Sequence, residues 1–127
     1  MAADDLEYRQ GVPVLMCAPD GPAVTSENDA LSLIVSAGSQ GAELVVVPVE
    51  RLGADFIELS SGLAGSIAQK FVNYRMRLAV LGDISARTAT SKPLQDFVRE
   101  TNRGRQLWFL ADLDELDQRL AATSSAR

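Results

Sequence analysis

Four short apolar runs, each separated from the next by residues at helical spacing, constrain this chain more than anything else in it. They are VPVLMC (12–17), LVVVPV (44–49), LAVL (78–81) and QLWFL (106–110). Runs this short and this nearly continuous suit strands covered on both faces rather than strands with one wet face. Strands that alternate with helices through short loops pair in parallel, with right-handed crossovers. The expected fold class is therefore α/β, a single domain with a mostly parallel sheet of four to five strands and helices packed on it. At 127 residues the chain is long enough to bury a core and short enough to be one domain.

The residues between the runs say where each element starts and stops. Pro13 has no backbone donor, so it belongs at a strand's start or on an edge, and Pro48 marks the end of its strand. APDGP supplies turn chemistry around Asp20-Gly21, and Ala23-Val24-Thr25 can add a brief extended piece. Ser26 or Asn28 caps a helix with Ala30, Leu31, Ile34, Val35 and Ala37 on its apolar face, ended by Gly38 and Gly41. Residues from Phe56 read as a short extended segment leading into a Ser60-Ser61-Gly62 turn. A four-turn helix follows, with Leu63, Ala64, Ile67, Ala68, Phe71 and Val72 down one side. Burying Leu63, Ile67, Phe71 and Val72 would contribute roughly 1.5–3 kcal/mol each.

Further on, Ser91 caps a helix that accepts Pro93 in its first turn and buries Leu94, Phe97 and Val98. Asn102-Arg103-Gly104 is expected to stop it on a left-handed glycine. Asp112, Asp114 and Glu115 sit where the positive end of a last helix favours acids, with Leu113, Leu116 and Leu120 facing inward. The polar residues 1–10 read as a flexible tail, 11–121 as the domain and 122–127 as a second flexible tail.

Missing residue types exclude several chemistries. There is no histidine, so a Ser-His or Cys-His dyad within this chain and a zinc site with imidazole ligands are ruled out. Cys17 is the single cysteine and lies in an apolar strand, so it forms no internal disulfide and reads as buried and inert. The net charge of −5, with only Arg99, Arg103 and Arg105 close together, offers no footprint for nucleic acid or an anionic membrane. The acidic start lacks the apolar core of a signal peptide, and no apolar run approaches the roughly 20 residues of a membrane helix. A cytoplasmic protein is expected. The run DLDELD (112–117) lacks the internal glycine and terminal glutamate of a calcium loop, and Walker and dinucleotide fingerprints are absent. Neither a metal nor a cofactor is expected.

Three groups of residues stand out as candidate sites. Ser60, Ser61 and Gly62 open a helix, where free N–H groups and the dipole could receive a phosphate or an anion; an ordinary N-cap explains them as well. Ser66, Gln69, Lys70, Asn73 and Tyr74 form a face that is polar without being densely charged, suited to a partner protein, a ligand or a second copy of the chain, or simply to solvent. Asp83, at the end of a strand, lies with Ser85, Arg87, Thr88 and Ser91 in sequence and could frame a pocket, because ligands of open parallel sheets sit beyond the strands' carboxyl ends. An Asx turn is the plainer account of Asp83.

From Phe56 to Leu120, on the segments FIELSSGLAG, QKFVNYR, LAVLGD and SKPLQDFVRETNRGRQ, the chain resembles a bacterial family, the domain of unknown function numbered 4180. The order of strand, SSGL turn, helix, strand ending in glycine, helix and strand is also similar to the STAS domain of anti-sigma-factor antagonists. In that family a serine before the glycine of an Asp-Ser-Ser-Gly-Leu turn is phosphorylated by a partner kinase, which switches binding. Ser60-Ser61-Gly62-Leu63 matches the last four positions, so the resemblance implies Ser61 as phosphoacceptor; Leu59 stands where that family has Asp.

Three functions remain open from the sequence. One is a small STAS-like regulatory or interaction domain, a homodimer that uses 60–74 as its contact surface. The second is a small enzyme or ligand-binding protein with Asp83 as acid or base, Arg87 or Arg105 holding an anion, and Ser61 nearby. The third is an accessory subunit of a larger enzyme.

Overall fold

A computed structural model describes residues 4–124. The apolar runs become parallel strands β2 (Val12–Met16), β3 (Leu44–Pro48), β4 (Arg77–Leu81) and β5 (Leu107–Leu110), joined by β1 (Asp5–Arg9) at one edge. The sheet order is β1-β2-β3-β4-β5, with β1 antiparallel to β2 and every other pair parallel. The expected α/β class and mostly parallel sheet are what the chain forms.

Strand β1 takes up 5–9 of the flexible tail expected over 1–10, of which 1–3 lie outside the described residues. Gln10 (φ 51°) and Gly11 (φ 79°) both take positive φ, the conformation of a two-residue hairpin turn whose twist matches the strands it joins. Gln-Gly is a less obvious turn signal than Asn-Gly, and only Leu6 of β1 packs on the core. The backbone of β2 recruits the strand, not its own hydrophobicity. Helix α6 (Leu113–Ser124) likewise runs into the expected C-terminal tail, of which 125–127 lie outside the described residues.

Successive parallel strands are laid down in one direction, so crossovers of one hand all fall on one face. That face carries α1 (Glu27–Ser39), α3 (Leu63–Asn73) and α5 (Lys92–Arg103), which bury Ile34, Ile67, Phe71 and Leu94 against Leu15, Val45, Val47, Leu78, Val80 and Phe109. The single-turn helix α2 (Ala54–Ile57) adds Phe56, whose ring centroid lies 6.4 Å from that of Phe109. Among the described residues the opposite face has only α6, which places Leu116 and Leu120 on Val14, Leu44, Val46, Ala79 and Trp108. Two guanidinium groups lie over the Trp108 ring, Arg77 at 4.8 Å and Arg119 of α6 at 4.7 Å, and the ring's Nε1 donates to the Gly104 carbonyl.

Several local expectations hold. Ser26 accepts from the Asp29 N–H and Ser91 from the Leu94 N–H as N-caps. Pro93 sits in the first turn of α5, and Val24 makes a parallel bridge with Leu52. Others change. The segment from Phe56 is α2 and a 3-10 turn over Leu59–Ser61 rather than extended, and α3 makes three turns, not four. Val35 is 61% and Val72 43% exposed, because each lies at the edge of its helix's apolar arc, where Leu33 and Phe71 face the sheet instead. Leu113, in the first turn of α6, is 36% exposed. Gly38 lies within α1, and Gly104 ends α5 in an extended conformation (φ −93°).

Arg9 of β1 holds Asp117 of α6 through both oxygens, Nε to Oδ1 at 2.9 Å and Nη2 to Oδ2 at 3.0 Å. The guanidinium keeps the Asp117 carboxyl below its ordinary 3.8. The unfolded chain therefore binds this proton more tightly than the folded one. The stabilisation is complete above 3.8 and is lost as pH falls through the lower folded value. Asp117→Asn should leave a melting temperature that varies less with pH across that acid range than the wild type's, measured by circular dichroism. Parallel profiles would remove the link.

Candidate functional site

The entrance to α3 is built by turns rather than by a strand. Gly62 takes φ +77°, a conformation that side chains other than glycine adopt with strain, and its Cβ position is open to solvent. The Ser61 hydroxyl lies 2.5 Å from the Asp55 carbonyl and 2.8 Å from that of Glu58, so one proton serves both. Its oxygen also accepts from the Leu63 N–H at 3.2 Å. Ser60 donates to the Glu58 carboxylate at 3.1 Å. Ser60, Ser61 and Gly62 are all exposed. Ser61 thus caps the helix in part, while its hydroxyl fastens α2 to α3.

Along α3, Gln69, Asn73 and Tyr74 are exposed and Ser66 half-buried. Gln69 Nε2 donates to Asn73 Oδ1 at 2.9 Å. Lys70 turns to Glu27 at the start of α1, 3.5 Å away, so the one charge on this face is answered by the neighbouring helix. With Val72 and Tyr74 (54% exposed) beside them, these residues form an amide and apolar surface whose covering requires partners for the amides but desolvates no unpaired charge among them.

Of the residues grouped with Asp83, the structure places Ser85, Thr88 and Arg87 beside it, and Arg105 and Ser61 elsewhere. Asp83 Oδ1 accepts from the Ser85 N–H at 2.9 Å, an Asx turn that opens the single-turn helix α4 (Ser85–Thr88). The carboxyl is exposed, and the Ser85 hydroxyl together with that N–H holds it below the usual carboxylate range. A general acid needs the opposite shift. Asp83 shares one hollow of about 290 Å³ with Arg87, and another of about 220 Å³ with Ser85 and Thr88; Ser61 lines neither. Arg105 is at the other end of the sheet: its carbonyl accepts from Arg77 Nε at 2.7 Å, before β5 begins. An Asp83–Arg105 pair is therefore excluded by the direction of the strands. Ser91 is taken up as the cap of α5.

A larger cleft, about 630 Å³, opens at the carboxyl ends of the strands beside the start of α6, on residues that the sequence analysis does not group as a site. Met16, Cys17, Pro48, Leu81 and Gly82 come from the ends of β2, β3 and β4, and Ala111 to Asp114 from the link into α6. Each stands at the carboxyl end of an apolar run, the one signal by which the sequence marks this place. Burial, first of all, pushes the Cys17 thiol up to about 12, so it stays protonated and is not a thiolate nucleophile. Arg51, only 3% exposed, lies outside that cleft and ties its surroundings together: Nη1 lies 2.8 Å from Asp4 Oδ1, and Nε donates to the Pro22 carbonyl at 2.8 Å.

Residues 9–120 match the family model described as Domain of unknown function (DUF4180), which extends the likeness over nearly the whole described chain. No curated protein and no solved structure matches.

Proposed function

This chain belongs to the DUF4180 family, and we propose that it is a small regulatory interaction domain of STAS-like type, cytoplasmic, acting as a homodimer or on another protein. The observation that carries this reading is the outward face of α3. It is long, exposed and nearly free of unanswered charge, with Val72 and Tyr74 among amides. Apolar and aromatic side chains ringed by neutral polar groups are the composition of the buried part of protein interfaces.

The switch is Ser61, at the near end of that face. Phosphorylation replaces its hydroxyl proton, so the Asp55 and Glu58 carbonyls lose their donor and meet roughly two negative charges instead. The phosphate would be driven away from them toward the free N–H groups of the first turn of α3, rearranging residues 54–61 beside the contact surface. The nearby Glu58 carboxylate favours the same movement.

Analytical ultracentrifugation of the pure chain, paired with affinity capture from the native cell, tests this. Val72→Asp is expected to abolish self-association or partner capture. Ser61→Ala and Ser61→Glu should shift it in opposite directions. Indifference to Val72→Asp, or equal behaviour of the two Ser61 variants, would overturn the surface or the switch respectively.

A second reading, a ligand-binding protein with its pocket at the strand carboxyl ends, is favoured by the cleft at Met16, Pro48 and Leu81. Asp83 stands outside that cleft.

A further inference from the structure

The sheet is covered unequally, and a hollow larger than those beside Asp83 lies where α6 begins, away from Ser61 and the α3 face. At about 630 Å³ it falls within the roughly 300–1,000 Å³ of sites that take small organic molecules. Met16, Pro48, Leu81 and Leu113 give it an apolar lining, and Gly82 contributes bare backbone.

Its charge is one-sided. Glu50, Asp112 and Asp114 line it, and no lysine or arginine does. The start of α6 would by itself welcome an anion, but the chain's own acids already occupy it. Asp112 accepts from the Glu115 N–H at 3.0 Å, and Glu115 from the Ala111 N–H at 2.9 Å. Among the described residues the Glu50 and Asp114 carboxylates have neither an ion pair nor a hydrogen bond, so their charge faces whatever enters. Nor do three metal-ligating side chains gather closely enough among the described residues to hold a metal ion. An apolar chamber with an acidic lip suits neither an anion nor a bare ion.

We propose that this cleft binds a small organic cation with an apolar body. Its hydrocarbon or aromatic part lies on Met16, Pro48 and Leu81, and its ammonium head stands at Glu50 and Asp114. This assignment is independent of the α3 surface and of Ser61.

The test is a titration of the ¹⁵N-labelled full chain with phenethylammonium and hexylammonium, and with 3-phenylpropanoate as the anionic match. The ammonium probes should shift the amides of Met16, Gly82 and Leu113 with a Kd of about 1 mM, as befits ligands of this size. The carboxylate should bind at least about tenfold more weakly. The double variant Glu50→Gln/Asp114→Asn, altered at two exposed positions, should weaken ammonium binding by about tenfold and erase the discrimination. Val72→Asp and Ser61→Glu should leave it unchanged, which separates failure here from failure of the α3 reading. Three results would overturn the proposal: no shift at these amides with either ammonium probe, equal binding of the carboxylate, or full affinity in the double variant.

Discussion

Gly82→Ala should destabilise the fold by about 3 kcal/mol, the largest loss expected of any one-carbon change in this chain. Two causes combine. Gly82 holds φ +147°, a region that L side chains rarely enter, where β4 leaves the sheet for the Asp83 turn. A Cβ there would also lie 2.5 Å from Val49 Cγ1, closer than real Cβ contacts come, and 3.0 Å from Val49 Cβ, at the tight limit of them. In a domain of this size the loss corresponds to a drop in melting temperature of roughly 10 °C. Calorimetry on Gly82→Ala, Val49→Ala and the double variant separates the causes. Val49→Ala removes the 2.5 Å clash with Cγ1 but neither the tight approach to Cβ nor the backbone strain, so the double variant should recover part of the loss. A Gly82→Ala cost below about 1 kcal/mol would mean that the bend is not fixed as described.

Arg51→Met should cost about 3 kcal/mol in urea unfolding, although it keeps the apolar stem. The guanidinium is buried and holds three separate pieces: Asp4 ahead of β1, the Pro22 carbonyl in the turn after β2, and its own 3-10 turn (49–51) after β3. Gly21 permits this, since a Cβ there would meet Arg51 Cζ at 2.8 Å. Removing the head leaves the Pro22 carbonyl without its donor and Asp4 without its counter-ion. Asp4 is only partly buried, so water answers it better than it answers the carbonyl. The Asp4→Asn variant should therefore lose less than Arg51→Met. A double-mutant cycle should show positive coupling between the two positions. Equal losses in both single variants would assign the whole effect to the ion pair.

Both positions frame the strand ends, and neither draws notice in the sequence. Gly82 reads there as the glycine that ends a strand, and Arg51 as one charge in a loop. What gives them weight is proximity to Val49, Asp4 and Pro22, which lie 33, 47 and 29 residues away in order; only the fold brings such distances together.

The elements built from local pattern were legible. LVVVPV can hide five buried side chains in a row only as a strand between two layers, and Ser26 and Ser91 cap their helices through bonds three residues long. The α3 entrance was legible in part: the Ser-Gly turn is there, but the Ser61 hydroxyl reaches back to Asp55 and Glu58, which an extended reading of that segment could not foresee. Strand β1 was not legible, because its pairing comes from the free edge of β2 rather than from its own side chains. Of the residues grouped with Asp83, Arg87 shares a hollow with it, and Arg105 is separated from it by strand direction. Asp83 and Arg105 both flank buried strands, yet one follows β4 and the other precedes β5, so parallel pairing sets them at opposite ends of the sheet.

By itself, then, the sequence determined the alternation of buried strands with amphipathic helices, and through it the α/β class. Hydrophobic periodicity and capping act within a few residues and need no partner from elsewhere. Tertiary structure alone decided which face each helix covers, that among the described residues α6 stands by itself on the second face, and that a cleft with an acidic lip is left beside its first turn. Those outcomes depend on strand order and crossover hand, which relate residues far apart in the chain and leave no local pattern to read.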